Sequence, residues 1–396
     1  MSLTNTPSAN RLHIGLFGKR NSGKSSLLNA ITHQELAVVS DTPGTTTDPV
    51  YKAMEVHGIG PCMFIDTAGF DDIGTLGELR ISKTKEALQK TDIALMIFTD
   101  SDFSEEDDWM ASLKEQGIPV IAIVGKTDQL DDAQQLASQI QERYQMKPIP
   151  VSTKTGEGIE QILPEIIRRI PENFESPSII GHLVHPGDTV LLVMPQDIQA
   201  PKGRLILPQV QTIRDLLDHQ CVVTCSTADR LDTALQSLNA PPQLIITDSQ
   251  VFPLVSQKKP ESSLLTSFSV LFARYKGDID AFIQGAQAID RLTEQSRVLI
   301  AEACTHAPLS EDIGRVKIPR LLRKRFGEAL SIDMVSGVDF PKDLSGYDLV
   351  IHCGACMFNR KYVLSRVRQA KQQDVPITNY GITIAKLTGI LDQVVY

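Results

Sequence analysis

Short runs of Val, Ile, Leu and Phe alternate with amphipathic stretches through the first part of the chain. Leu12–Phe17, Cys62–Ile65, Ile93–Thr99, Val120–Val124 and Ile149–Val151 are brief, apolar and rich in branched residues, and they predict buried strands. Between them Lys24–Thr32, Glu105–Gln116 and Ile159–Ile170 carry helical spacing. Strand–helix alternation of this kind predicts a mostly parallel sheet covered on both faces. The stretch Pro171–Pro186 holds prolines, a glycine and few apolar pairs, which puts the end of a first domain, residues 1–172, at its start.

The pattern restarts at Thr189. Thr189–Met194, Cys221–Cys225 and Gln243–Thr247 predict strands, with helices over Val210–His219 and Ala228–Leu238. This second domain, residues 173–264, has strand-rich ends that could pair with a second copy. Past the polar stretch Ser256–Ser263 a third domain, residues 265–396, holds the apolar segment Leu271–Tyr275 and a helix over Asp278–Arg291. Strand Arg297–Glu302, a basic helix near Arg320–Phe326, strand Asp348–Ile351 and two later segments follow. The expected fold class is α/β, a nucleotide-binding domain followed by two smaller α/β domains.

Composition narrows the function classes. Hydrophobic residues at 42% and charged residues at 22% are ordinary for globular chains. The net charge of −9 argues against a nonspecific nucleic-acid binder. No apolar run approaches the ~18–20 residues of a membrane span, and Met1–Arg11 lacks a signal-peptide stretch, so a cytoplasmic place is expected. Six cysteines are too sparse for a disulfide framework.

The most specific motif is Gly18-Lys19-Arg20-Asn21-Ser22-Gly23-Lys24-Ser25, a G-x-x-x-x-G-K-S loop between a strand and a helix. Its glycines let backbone N–H groups curl around phosphates, and the helix N-terminus adds a favourable dipole. Lys24 would reach the β- and γ-phosphates, Ser25 would ligate Mg²⁺, and Asn21, Ser22 and Ser26 complete the loop. Asp66-Thr67-Ala68-Gly69 closes the next apolar strand, with Asp66 suited to Mg²⁺ through water and the Gly69 amide to the γ-phosphate. Thr45-Thr46-Thr47 offers a hydroxyl, taken as that of Thr46, to finish the Mg²⁺ shell. Gly125-Lys126-Thr127-Asp128 supplies Asp128 as acceptor for guanine N1–H and amine, and Ser152-Thr153-Lys154 backs the base.

Order and spacing resemble the translation-factor-related GTPases, in particular the TrmE–Era branch. That resemblance implies GTP/GDP with Mg²⁺, hydrolysis supported by Lys24, Thr46, Asp66 and Gly69, and K⁺ held by Asn21. Two departures stand out. Gly125 replaces the usual Asn that ties the base loop to the phosphate loop, so affinity is expected to weaken while Asp128 keeps guanine preference. Phe70 stands where Ras-type enzymes carry a water-orienting Gln, so intrinsic hydrolysis is expected to be slow.

A second constellation lies near the C-terminus. Cys304-Thr305-His306 follows one predicted strand and His352-Cys353-Gly354-Ala355-Cys356 another. Two cysteines at i, i+3 around a glycine can face one metal centre, and a third thiolate completes a three-sulfur set. Spacing leaves open an iron–sulfur cluster with an exchangeable position, zinc closed by His306 or His352, or buried free thiols. Cys62, Cys221 and Cys225 lie in β patterns and read as core residues, and the remaining histidines as packing or surface groups.

An N-terminal TrmE–Era-like GTPase joined to C-x-H…H-C-x-x-C resembles the HydF family of FeFe-hydrogenase maturation factors, over nearly the whole chain. The resemblance implies a dimerisation domain in the middle, hence a homodimer. It also implies a 4Fe–4S cluster on Cys304, Cys353 and Cys356, with His306, His352 or Glu302 as candidate fourth ligand. It implies a scaffold that receives a transient diiron precursor built with the maturases HydE and HydG and passes it to apo-hydrogenase HydA, with no nucleic-acid or membrane partner. The nucleotide is expected to act as a switch on partner dissociation. The basic set Arg320, Arg323, Lys324, Arg325, Arg360, Lys361, Arg366, Arg368 and Lys371 is expected in part to line the cluster mouth and attract an anionic cargo. The competing readings are a GTPase of RNA or ribosome assembly with a structural zinc, and a redox-sensing GTPase.

Overall fold

The computed structural model describes residues 10–32, 49–56, 58–69, 75–170, 178–195, 205–303, 312–337, 339–355 and 358–396. Two compact units divide at 175/176. In the first, strands and helices run β1 (Leu12–Gly18), α1 (Lys24–Thr32), β2 (Val50–Val56), β3 (Gly60–Asp66), α2 (Thr75–Lys90), β4 (Ile93–Phe98) and α3 (Ser104–Glu115). They continue with β5 (Val120–Val124), α4 (Ala133–Tyr144), β6 (Ile149–Pro150) and α5 (Ile162–Arg169).

These strands form one six-stranded sheet, β2-β3-β1-β4-β5-β6. All neighbours are parallel except β2, which runs antiparallel to β3. Strand alternation sorts the side chains into two cores. Leu12, Ile14, Leu16, Leu95 and Ile123 pack under α1 and α5, through Leu28, Ile31, Ile162 and Ile166. Phe17, Met96, Phe98 and Val124 pack under α3 and α4, through Trp109, Leu113, Leu136 and Ile140. Among the expected strands, β2 was absent because its half-exposed pattern leaves no apolar run to read. The acidic run 100–108 feeds the first turn of α3, where Glu105, Glu106 and Asp107 favour the helix dipole.

The second unit holds two four-stranded parallel sheets. The first is built from β7 (Thr189–Val193), β8 (Val222–Ser226), β9 (Leu244–Thr247) and β10 (Leu264–Ser267), in the order β10-β9-β7-β8. Its helices are α6 (Leu207–Asp218), α7 (Leu231–Ser237), α8 (Phe252–Lys258) and α9 (Phe268–Lys276). The second follows α10 (Ile279–Ala286), with β11 (Arg297–Glu302), α11 (Ile318–Phe326), β12 (Ser331–Ser336) and β13 (Leu349–His352). It ends with α12 (Arg360–Gln372), β14 (Ile377–Asn379) and α13 (Tyr380–Leu387), in the strand order β12-β11-β13-β14.

One buried cluster runs through both sheets, joining Leu191, Ile245 and Leu265 to Val298, Ile300 and Ile351. Near the end of the chain, Val395 N–H donates to the Leu265 carbonyl and Thr266 Oγ1 to the Val395 carbonyl, which adds that segment to the edge at β10. The sheet therefore crosses the 264/265 edge expected from the polar stretch. Ser256–Lys258 close α8, and the turn after them leads directly into β10. The segment Leu271–Tyr275 is the interior of α9, started by Ser267, whose hydroxyl accepts from Val270 N–H. No described helix is long and apolar enough to cross a membrane.

Candidate functional site

The phosphate loop leaves β1 at a strand buried along its whole length, so its starting point is fixed by the core. Asn21 (φ +59°) and Gly23 (φ +94°) take left-handed backbone, which turns successive N–H groups inward as a nest for anions. Lys24 Nζ donates to the carbonyls of Gly18 at 2.8 Å and Lys19 at 2.6 Å, holding the ammonium over the loop. Ser25 Oγ donates to Asp66 Oδ2 at 2.5 Å, so the two groups expected at Mg²⁺ meet. Burial pushes the Asp66 carboxyl up, while the Ser25 hydrogen bond and the Lys24 charge favour its ionised form. Ala68 and Gly69 follow, buried, and Thr67 Oγ1 anchors the turn on the Leu16 carbonyl at 2.5 Å. Ser26 is half-buried in the first turn of α1. Thr45, Thr46, Thr47 and Phe70 lie outside the described residues.

The base side is assembled from the ends of β5 and β6. Lys126 is left-handed (φ +55°), and an added Cβ at Gly23 would lie 3.9 Å from its Cε, so its stem runs over the phosphate loop. Ser152 Oγ donates to Asp128 Oδ1 at 2.7 Å, and Thr127 N–H donates to Val151 O, while Thr153 is exposed beside them. At Gly125 a Cβ would stand 2.9 Å from Ile97 Cγ2 and 3.2 Å from the Ser22 carbonyl. Ser22 Oγ is buried without a hydrogen-bond partner among the described residues. A side chain at 125 would therefore face the phosphate loop, where a polar group awaits one.

Sequence reasoning missed the anchor of this loop. Lys19 Nζ bonds Asp100 Oδ1 at 2.9 Å and lies 3.4 Å from Glu106 Oε2. Glu106 is 1% exposed, and burial pushes its carboxyl up to about 7 despite the neighbouring ammonium. A glutamate on the face of α3 otherwise occupied by Trp109 and Leu113 was the available signal.

Cys353 follows β13 at its carboxyl end, beside that of β11; from these adjacent parallel strands the chain departs in opposite directions, β11 toward β12 and β13 toward β14. Ligands of open α/β sheets bind at such a switch point. Cys353 Sγ accepts N–H bonds from Ala303 at 3.0 Å and Ala355 at 3.4 Å. Two backbone donors aimed at one sulfur favour a thiolate, and an added Cβ at Gly354 would meet nothing within 4 Å. The donor chemistry at Cys353 thus fits an iron–sulfur cluster or zinc. Cys304, His306 and Cys356 lie outside the described residues, and among the described ones no further His, Cys, Asp or Glu joins Cys353 into a ligand set.

Two of the proposed fourth ligands are already committed. His352 is 1% exposed. Arg366 Nη1, which can only donate, lies 3.0 Å from His352 Nε2, and His352 Nδ1 lies 2.7 Å from the Cys353 carbonyl. Both ring nitrogens are used, and burial with the Arg366 charge pushes the imidazole down to about 3. Glu302 Oε2 accepts from Arg315 Nε at 3.2 Å, Arg315 Nη2 at 3.0 Å and Ser336 Oγ at 3.3 Å.

Four members of the basic set are likewise committed to the fold. Arg360 is spent on backbone carbonyls of α9 and its end, Arg366 is buried against Tyr362 and Phe340, Lys371 pairs with Asp278 and Arg325 with Asp290. Cys62 and Cys221 are buried, and burial pushes the Cys62 thiol up to about 12. Cys225 is exposed, against expectation, because β8 is an edge strand.

A P-loop GTPase domain on a mostly parallel sheet, followed by a unit with two further parallel sheets and a cysteine at the switch point of the last, is the class this geometry defines. Residues 13–126 match the family model of the 50S ribosome-binding GTPases. Residues 179–277 match that of the hydrogen maturase F dimerization domain, and residues 280–396 that of the hydrogen maturase F tetramerization domain. The chain belongs to the hydrogen maturase F (HydF) family, with a TrmE/Era-like GTPase domain.

Among curated relatives, the tRNA modification GTPase MnmE of Heliobacterium modesticaldum is 36% identical over 160 residues, 39% of this chain and 33% of its own. GTPase Der of Wolinella succinogenes is 34% identical over 173 residues, 41% of this chain and 36% of its own. The chain spans about a third of the length of these relatives. Era of Aquifex aeolicus bound to GDP and AlF₄⁻ aligns at 17% identity and a TM-score of 0.37, over 57% of this chain and 98% of its own.

Proposed function

We propose that this chain is a GTP-hydrolysing scaffold of FeFe-hydrogenase maturation. It holds a diiron precursor bearing CO and cyanide beside its own 4Fe–4S cluster and hands it to apo-hydrogenase HydA. The observation that carries the reading is the Cys353 sulfur under two N–H donors at the switch point of the last sheet, in a chain of the HydF family. Cys304 and Cys356 would complete the thiolate set, since Ala303 already touches the Cys353 sulfur and Cys304 is the next residue. When bound, the cluster supplies an iron with an exchangeable position against which the cargo can rest. With His352 and Glu302 committed, His306 would be the one of the three candidates to fill that position from time to time. HydE and HydG supply the precursor, and the maturation complex works in the cytoplasm.

On the nucleotide side, Gly18, Asn21, Ser22, Gly23, Lys24, Ser25 and Ser26 would cradle the phosphates. Ser25 and Thr46 would hold Mg²⁺, with Asp66 acting through water. Asn21 would hold K⁺ and offset the charge that develops on the transferring phosphoryl group. Asp128, backed by Lys126, Ser152 and Thr153, would read guanine. Thr46 and Gly69 would sense the γ-phosphate, so that hydrolysis releases their loops and with them a maturation partner. Hydrolysis would be slow, because Phe70 cannot orient water. The exposed Val222 and Cys225 of edge strand β8 support a homodimer formed through that edge.

The test is anaerobic reconstitution with iron and sulfide, metal analysis and EPR of the reduced protein, then activation of apo-hydrogenase. About four iron per chain, with a 4Fe–4S signal lost in Cys353→Ala, is the expected result. One zinc per chain with no iron signal would overturn the reading.

A further inference from the structure

Helix α9 is apolar along its length, with Phe268, Val270, Leu271, Phe272 and Ala273 buried, yet it ends in Lys276, which is 2% exposed. An ammonium taken out of water needs acceptors. Lys276 Nζ finds them in the cysteine loop of the last sheet, at 3.0 Å from the Phe358 carbonyl and 3.4 Å from the Ala355 carbonyl. These carbonyls bracket position 356. The loop requires such a hold, because Ala355 adopts left-handed backbone at φ +47°, a conformation a Cβ disfavours.

The attachment is reciprocal. Arg360, the first residue of α12, places Nη1 at 3.0, 2.8 and 2.9 Å from the carbonyls of Arg274, Tyr275 and Gly277. A cation from each segment thus satisfies the backbone of the other, and the cysteine loop is latched to the last helix of the middle sheet.

We propose that Lys276 is a positioning residue for the iron–sulfur site: it fixes the turn that follows Cys353 through the Ala355 and Phe358 carbonyls and holds its ammonium beside that turn. This rests on the reading that Cys304, Cys353 and Cys356 carry a 4Fe–4S cluster. A three-thiolate cluster gains negative charge on reduction, so a fixed cation a few residues away stabilises the reduced form and raises the reduction potential.

Lys276→Met and Lys276→Arg, made in the full chain and reconstituted beside the parent, test the proposal by iron content and an EPR-monitored redox titration. Lys276→Met is expected to shift the midpoint to lower potential and alter the g values of the reduced signal, and Lys276→Arg to restore both. An unchanged midpoint and unchanged g values in Lys276→Met would overturn it. If the methionine variant does not fold, Lys276→Gln keeps a donor for the carbonyls without the charge, and an unshifted midpoint there is equally fatal. A parent that takes up no cluster would instead sink the iron–sulfur reading itself.

Discussion

Ser152 and Asp128, carried by separate loops of the GTPase domain, meet through a 2.7 Å hydrogen bond from hydroxyl to carboxylate. The bond leaves one edge of the Asp128 carboxylate for guanine and fixes its orientation. Bonds to a charged group are worth ~1.5–3 kcal/mol, so Ser152→Ala is expected to weaken GDP binding roughly tenfold or more. Asp128→Asn exchanges an acceptor for a donor and should abolish guanine preference while admitting xanthine nucleotides. Titration with fluorescent nucleotide analogues measures both. A variant at 128 that still prefers guanine would rule out this role.

Beside Gly125 the buried Ser22 hydroxyl has no hydrogen-bond partner among the described residues. Gly125→Asn would reach toward it at the expense of the Ile97 methyl, which an added Cβ meets at 2.9 Å. That methyl is the end of a side chain and can give way. The restored bond is worth ~0.5–1.5 kcal/mol, so GDP affinity should rise about two- to tenfold by calorimetry. Weaker binding in the variant would show that the contact with Ile97 or the Ser22 carbonyl dominates.

Glu106 gives the GTPase domain a pH-dependent stability. Its carboxyl titrates near about 7 in the fold against 4.5 in the open chain, with burial as the main cause and the Lys19 ammonium opposing it. A group raised on folding contributes stability that is complete below pH 4.5 and is lost as the pH climbs through about 7. Glu106→Gln removes that dependence. Melting temperatures of variant and parent, compared from pH 5 to pH 8, should move apart in the variant's favour as the pH rises. A constant difference would contradict the assignment.

The exposed edge at β8 predicts an assembly defect. Val222 is 56% exposed on a strand whose outer hydrogen-bonding side is unpaired by any described strand. Val222→Lys places a charge on that edge, which disfavours strand pairing between copies. Light scattering should report a lower mass for the variant than for the parent at equal concentration. Equal masses would move the dimer contact elsewhere.

Most of the nucleotide site was legible in the sequence because its chemistry is contiguous. A phosphate loop needs glycines, a lysine and a hydroxyl within one turn of chain, and Gly18–Ser25 states them in order. The buried strands were legible for the same reason, as with the uninterrupted apolar run of β4, buried at every position. The half-exposed β2 was not, since its partner β3 supplies the burial that its own pattern lacks. The helix α9 was also obscured, because its apolar residues are divided between two cores, Val270 and Ala273 in one and Phe268, Leu271 and Phe272 in the other.

The sequence by itself determined the class of this protein: the P-loop, the loop that carries Asp128, the cysteine turn after a strand, and three successive α/β patterns. Only the tertiary structure decided which polar groups remain available. It assigned His352 to Arg366, Glu302 to Arg315, and Arg360 and Lys276 to carbonyls more than seventy residues distant. The physical reason is that a motif's chemistry is set by neighbours along the chain. The partner of a buried charge is whichever acceptor the packing brings within about 3 Å, and no local pattern encodes that encounter.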